Sequence, residues 1–214
     1  MIKDSAELFI FDLDGTIVDS SKTVLKILNL IRTELKMNLI ESNDIRSVLS
    51  LGGNEMISKV FGESANSDYY LQYFRSIYIK DNLDNEKVFN GAKEFIEYLL
   101  SRDKRVALCT NKPRDLVFKV LEHHKLKSYF DCIVTGSDVE NKKPNPEGIV
   151  KIINKIKCKQ DKVVFIGDSL VDQIAAKNAQ IKFFFFEAGY DDGVDIKNVD
   201  LKFKHYTNLL GNGP

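Results

Sequence analysis

The chain has 214 residues, 43% hydrophobic and 29% charged, the make-up of a soluble globular protein long enough for one good core or a core with an inserted subdomain. Lysine plus arginine and aspartate plus glutamate stand at 31 each, so no global positive excess exists to drive counterion release from a nucleic acid. Cys109, Cys132 and Cys158 are widely spaced, with no CxxC and no histidine cluster beside them, which argues against zinc and for a reducing compartment.

Met1–Glu7 is polar and lacks the apolar stretch of a secretion signal. No run approaches the ~18 apolar residues of a membrane span. The expected location is therefore cytoplasmic, with no membrane partner. Leu8-Phe9-Ile10-Phe11 is a continuous apolar run and predicts a buried strand. It ends on Asp12-Leu13-Asp14-Gly15-Thr16. Two carboxylates one residue apart are costly there, because apolar surroundings disfavour the ionised form and like charges disfavour each other. A cation keeps such a pair charged most easily. A divalent metal beside a strand-end carboxylate is a recurring means of attacking or moving a phosphate.

From Asp19 to about Leu83 no strand pattern is evident. Val24, Leu25, Ile27, Leu28, Ile31 and Leu35 fall on a helical period. Three further apolar groups, near residues 45–49, 56–60 and 70–78, suggest three more helices. The segment reads as a helical insert that leaves through Gly15–Ser20 and returns near Asn82–Gly91. Beyond it, predicted helices (Ala92–Ser101, Leu116–His124, Pro146–Ile156, Val171–Asn178) alternate with predicted strands (Arg105–Cys109, Cys132–Thr135, Val163–Ile166, Phe183–Phe186, and a weaker one near Leu201–Phe203). This alternation implies an α/β fold, a parallel sheet covered on both faces with right-handed connections.

Four segments that follow predicted strands carry polar residues: Asp12-Leu13-Asp14, Thr110-Asn111-Lys112, Lys142-Lys143-Pro144, and Gly167-Asp168-Ser169 with Asp172. Ligands of open parallel sheets bind at the carboxyl ends of the strands, so the four should converge on one crevice. Each alone has a plainer reading. Asp-Gly is a common turn pair, Thr110-Asn111 a helix cap, and Lys142-Lys143 a solvated pair. Asp168 and Asp172 suit a solvent-facing helix stripe, and Ser169 a first-turn residue. His123 and His124 read as a solvated pair on a charged helix end. Leu51-Gly52-Gly53-Asn54 is either a helix–helix turn or a substrate-facing loop.

At these residues the chain resembles the haloacid dehalogenase superfamily, in its phosphoglycolate phosphatase-like branch with a helical cap. The matching text is FDLDGTIVDS at 11–20, TNKP at 110–113, KKPNP at 142–146 and GDSLVD at 167–172. The resemblance spans essentially the whole chain. It implies a Rossmann-like parallel sheet core, residues 1–18 and 86–214, with an inserted all-helical cap subdomain, residues 19–85.

The resemblance also implies a Mg²⁺-dependent phosphatase acting on a small phosphorylated metabolite through an aspartyl-phosphate. Asp12 would be the nucleophile and Asp14 the general acid and base. Thr110 and the Asn111 backbone N–H would bind the phosphoryl group, and Lys143 would neutralise its charge and brace Asp12. Asp12, Asp168 and the Asp14 carbonyl would hold the metal, with Asp172 completing the shell directly or through water. Arg46, Gly52, Gly53 and Lys59 are candidate substrate contacts in the cap. A sugar phosphomutase and a non-catalytic binding protein on the same fold are the alternatives, and a monomer or homodimer is expected. Two positions depart from the family pattern: Asn90 stands where proline is frequent before Gly91, and Gln180 where glycine is frequent after Ala179.

Overall fold

The computed structural model describes residues 5–41, 45–49, 53–63 and 65–210. The chain opens with β1 (Leu8–Phe11) and β2 (Val18–Asp19), then four helices: α1 (Ser21–Glu34), α2 (Arg46–Leu49), α3 (Gly53–Phe61) and α4 (Ser67–Tyr78). It continues through β3 (Lys87–Val88), α5 (Ala92–Leu100), β4 (Arg105–Cys109), α6 (Arg114–His123), β5 (Cys132–Val134), α7 (Glu147–Ile156), β6 (Val163–Gly167), α8 (Leu170–Asn178), β7 (Lys182–Phe186) and β8 (Leu201–Phe203).

Six strands form one parallel sheet in the order β5-β4-β1-β6-β7-β8. β1 sits between β4 and β6, in register from Leu8 to Phe11 with Arg105–Leu108 on one side and Val163–Ile166 on the other. The strands are apolar throughout because both faces are covered. Phe9, Phe11, Val106, Leu108, Val164, Ile166, Phe184 and Phe186 pack on one face, with Phe95 of α5 and Val117 and Val120 of α6. Leu8, Ile10, Ala107, Cys109, Val163, Phe165, Phe183 and Phe185 pack on the other, with Ile149 and Ile152 of α7 and Ala175 of α8. The strict alternation is the strand period of two. Each fully buried phenylalanine contributes about 1.5–3 kcal/mol relative to exposure.

The helical insert forms between β2 and β3, and among its described residues no strand lies between those two. Its two ends differ from the sequence reading. Val18 and Asp19 pair antiparallel with Val88 and Lys87 in a two-residue ribbon, too short to show any periodicity. α1 buries Val24, Ile27, Leu28 and Ile31 against the other insert helices. α4 is capped by the Asn66 side chain, which accepts from the Tyr69 N–H, and it buries Leu71, Phe74 and Tyr78. Gln180 adopts φ +55°, a left-handed backbone that glycine takes without a Cβ penalty.

Candidate active site

Because β4, β1 and β6 are neighbours, the residues that follow them, Thr110, Asp12 and Asp168, meet at one edge of the sheet. They share a cavity of about 410 Å³ with Asp14, Asn111, Lys143 and Asp172, a size suited to a small ligand. The Asp12 N–H donates to the Ile166 carbonyl at 2.9 Å, which extends the sheet by one rung and holds the acid at the strand end. Gly15 then turns the chain with φ +80°. A Cβ there would collide with the Asp168 carboxylate and lie 2.8 Å from the Tyr190 ring.

Lys143 is the centre of the charge cluster. Its ammonium lies 2.9 Å from Asp12 Oδ1 and 2.7 Å from Asp172 Oδ1, with 4% of its side chain exposed. The loop that carries it is tied to the loop after β4 by two reciprocal bonds. Asn111 Nδ2 donates to the Lys143 carbonyl and the Lys143 N–H donates to Asn111 Oδ1, both at 2.9 Å. Asp172 Oδ2 accepts from the Ser169 hydroxyl at 2.7 Å and from the Ser169 N–H at 3.2 Å. Ser169 in turn accepts from the Asp172 N–H, so the pair forms a capping box at the start of α8. Ser169 is thus the helix cap rather than a first-turn residue. Asp168 accepts from the Thr16 hydroxyl at 2.6 Å and the Tyr190 N–H at 2.8 Å.

Burial pushes the Asp12 carboxyl up to about 6, opposed by Lys143 and reinforced by Asp172 and Asp14. Burial also raises Asp168 well above the usual carboxylate range, reinforced by Asp172 and Asp12. Burial works against the Lys143 charge as well, but Asp12 and Asp172 outweigh it and raise its pKa. Carboxylate oxygens of Asp12, Asp168 and Asp172 lie within 4.8 Å of one another. The buried Asp168 and Asp172 and the half-buried Asp12, with one ammonium among them, leave an excess of negative charge that a further cation would relieve. Asp12 Oδ1 has no well-directed hydrogen bond besides its ion pair. An all-oxygen donor set of this kind fits a hard divalent cation.

Asp14 belongs to a second network. Its Oδ1 accepts from the Ser20 hydroxyl at 2.7 Å and from Lys112 Nζ at 2.9 Å. Lys112 also donates to the Tyr78 hydroxyl at 2.8 Å and lies 4.4 Å from the centre of the Tyr78 ring. Tyr78 donates onward to the buried Glu86 carboxylate. Lys112 follows β4 and Tyr78 ends α4, so this network joins the sheet to the insert.

A sequence model of the haloacid dehalogenase-like hydrolases matches residues 9–186. The chain belongs to this family. A phosphoglycolate phosphatase of Vibrio parahaemolyticus is 27% identical over 221 aligned positions, covering 98% of this chain and 97% of its own. One of Pseudomonas fluorescens is 28% identical over 194, covering 87% of this chain and 71% of its own. The crystal structure of a predicted phosphoglycolate phosphatase from Haemophilus somnus shares the fold, with a TM-score of 0.89 and 21% identity over 96% of this chain and 97% of that one.

In this haloacid dehalogenase-like hydrolase, Asp12, Asp14, Thr110, Asn111, Lys143, Asp168 and Asp172 all line the one cavity, as does Gly53 at the start of α3. Lys59 is exposed and does not line it. Gly52 and the Arg46 side chain lie outside the described residues. Thr110 does not cap a helix: α6 begins after Pro113, and Thr110 Oγ1 accepts instead from the Lys112 N–H at 3.2 Å. His124 differs from the solvated reading, since its side chain is 11% exposed and lies 3.9 Å from Glu86.

Sequence reasoning assigned no role to Thr16, Ser20, Lys112 or Tyr190. Thr16 and Lys112 stand inside the matched motifs, and Tyr190 lies just beyond the end of β7, where the strand-end rule applies equally. Tyr78 falls on the helical period near residues 70–78, but its bond to Lys112 had no local signal, because that partner is 34 residues away in sequence.

Proposed function

We propose that this hydrolase is a Mg²⁺-dependent phosphatase that hydrolyses a small phosphorylated metabolite, of phosphoglycolate-like size, through an aspartyl-phosphate on Asp12. The observation that carries the reading is the buried Lys143 ammonium held between Asp12 and Asp172, beside Asp168 and in the same cavity as Thr110. The relatives named phosphoglycolate phosphatase support the substrate class.

Asp12 and Asp168, with the Asp14 carbonyl, would hold the metal. Asp172 has its two oxygens engaged by Lys143 and Ser169, which supports a role through water and as the anchor of Lys143. When bound, the cation supplies charge neutralisation between the phosphate and its carboxylate nucleophile. Asp12 attacks phosphorus, and the bond to the leaving oxygen breaks. Asp14 gives that oxygen a proton, then takes one from the water that cleaves the acyl-phosphate. Thr110 and the Asn111 N–H hold phosphoryl oxygens, and Lys143 offsets the charge spread over them. Phosphoryl transfer asks mainly for such positioning.

We further infer that residues 19–85 act as a cap over residues 1–18 and 86–214, excluding water during the reaction and opening to release product. The test is phosphate release from a panel of phosphomonoesters, with and without EDTA. Turnover that vanishes with EDTA and in a folded Asp12→Asn variant is expected. Activity that survives either change would overturn the assignment.

A further inference from the structure

Part of the cavity wall is formed by one face of α4. Leu71, Phe74 and Tyr78 of that face are buried, and Arg75 is spaced with them, one turn after Leu71 and one before Tyr78. Arg75 is half-buried and lines the same cavity as Asp12, Thr110 and Lys143. The other half-buried or buried cations of the cavity already have anionic partners. Lys143 is held by Asp12 and Asp172, and Lys112 by Asp14. Among the described residues, no carboxylate lies within 4 Å of Arg75. Burial works against its charge and only the more distant Asp115 favours it. The remaining charges on the wall away from the acid cluster, Glu55 and Lys142, are exposed.

A half-buried guanidinium beside apolar side chains, with no acid within 4 Å among the described residues, is arranged to receive an anion from the ligand. Its planar fork matches carboxylate and phosphate oxygens two at a time. We propose that Arg75 is the recognition site for a second anionic group on the substrate, carried on the organic side of the phosphomonoester. The substrate class is then a short phosphate ester bearing a carboxylate or a second phosphate. This deepens the phosphatase reading of the same cavity and rests on it.

The test compares esters that differ only in the charge of the tail. 2-Phosphoglycolate and a sugar bisphosphate are set against ethyl phosphate, which has a neutral tail, and against phosphoethanolamine, which has a cationic one. The expected kcat/KM for an anionic tail exceeds that of ethyl phosphate by about 10- to 150-fold. Preference for 2-phosphoglycolate or for the bisphosphate tells which oxyanion Arg75 takes. In Arg75→Ala the ratio falls towards one, mainly through KM. Arg75→Met, which keeps the packing of the long stem, does the same, and Arg75→Lys restores part of it. A ratio unchanged in Arg75→Met, or a wild-type preference for phosphoethanolamine, overturns the proposal, the latter handing recognition to Glu55. If no ester is turned over, the phosphatase reading fails. Arg75 is then judged by binding alone, as the thermal shift given by 2-phosphoglycolate over ethyl phosphate in wild type and in Arg75→Met.

Discussion

Lys112 shows what a single side chain adds to the cluster. It holds Asp14 at 2.9 Å, so it acts through the proposed general acid and base and is a positioning residue. Lys112→Met should lower turnover of alkyl phosphates about 10- to 100-fold. p-Nitrophenyl phosphate, whose leaving group needs no proton, should lose much less, and Lys112→Arg should recover part of the difference. An equal loss for both ester types would show that Lys112 only supports the fold. Asp12 carries a pH prediction. In the metal-free chain its pKa is raised from 3.8 to about 6, so the folded state binds that proton more tightly than the unfolded state. The resulting stabilisation is complete below about pH 4 and is lost as pH rises through about 6. A cation on the ionised carboxylate opposes that loss. Mg²⁺ should therefore raise Tm more at pH 7.5 than at pH 5, and equal increments would remove Asp12 from the metal site. The acids were legible in the sequence because each follows an apolar strand. The Lys112–Asp14 and Asn111–Lys143 pairings were not, because they depend on which loops the sheet order brings together.

Two helix starts separate stability from chemistry. Ser169 caps α8 in a reciprocal box with Asp172. Ser20 stands at the start of α1 but makes no side-chain cap bond, because its hydroxyl donates to Asp14 instead. Ser169→Ala should cost about 1 kcal/mol and lower Tm by roughly 2–4 °C for a chain of this length. Ser20 is buried, but it makes no cap bond and Asp14 keeps Lys112 as a donor, so Ser20→Ala should lower Tm less than Ser169→Ala does, yet lower kcat. Thermal melts beside kinetics distinguish the two, and a fall in Tm for Ser20→Ala matching that of Ser169→Ala would refute the contrast. The main strands and helices were readable from apolar runs and helical spacing, with ends shifted by one or two residues. The β2–β3 ribbon was not, because two residues carry no period and its partner strands lie 70 positions apart at Val18 and Val88.

Across the whole molecule, the sheet and the insert are coupled through Tyr78, which ends α4, receives Lys112 from the loop after β4, and donates to Glu86. Tyr78→Phe removes both bonds while keeping the buried ring. Amide exchange in α4 should then quicken by about tenfold while β1 and β6 keep their protection. Unchanged exchange in α4 would mean that apolar packing alone holds the insert in place. No helix among the described residues is long and apolar enough to cross a membrane.

The β2–β3 ribbon also bears on how such a molecule diversifies. The polypeptide departs from the sheet and rejoins it at hydrogen-bonded neighbours, so everything between those two points is a closed excursion with a single narrow doorway. Its length can change without shifting a rung of the parallel ladder, provided Tyr78 keeps its bond to the Lys112 that holds Asp14. On the reading proposed above, the sheet edge would hold the chemistry and the excursion, through Arg75, the choice of guest.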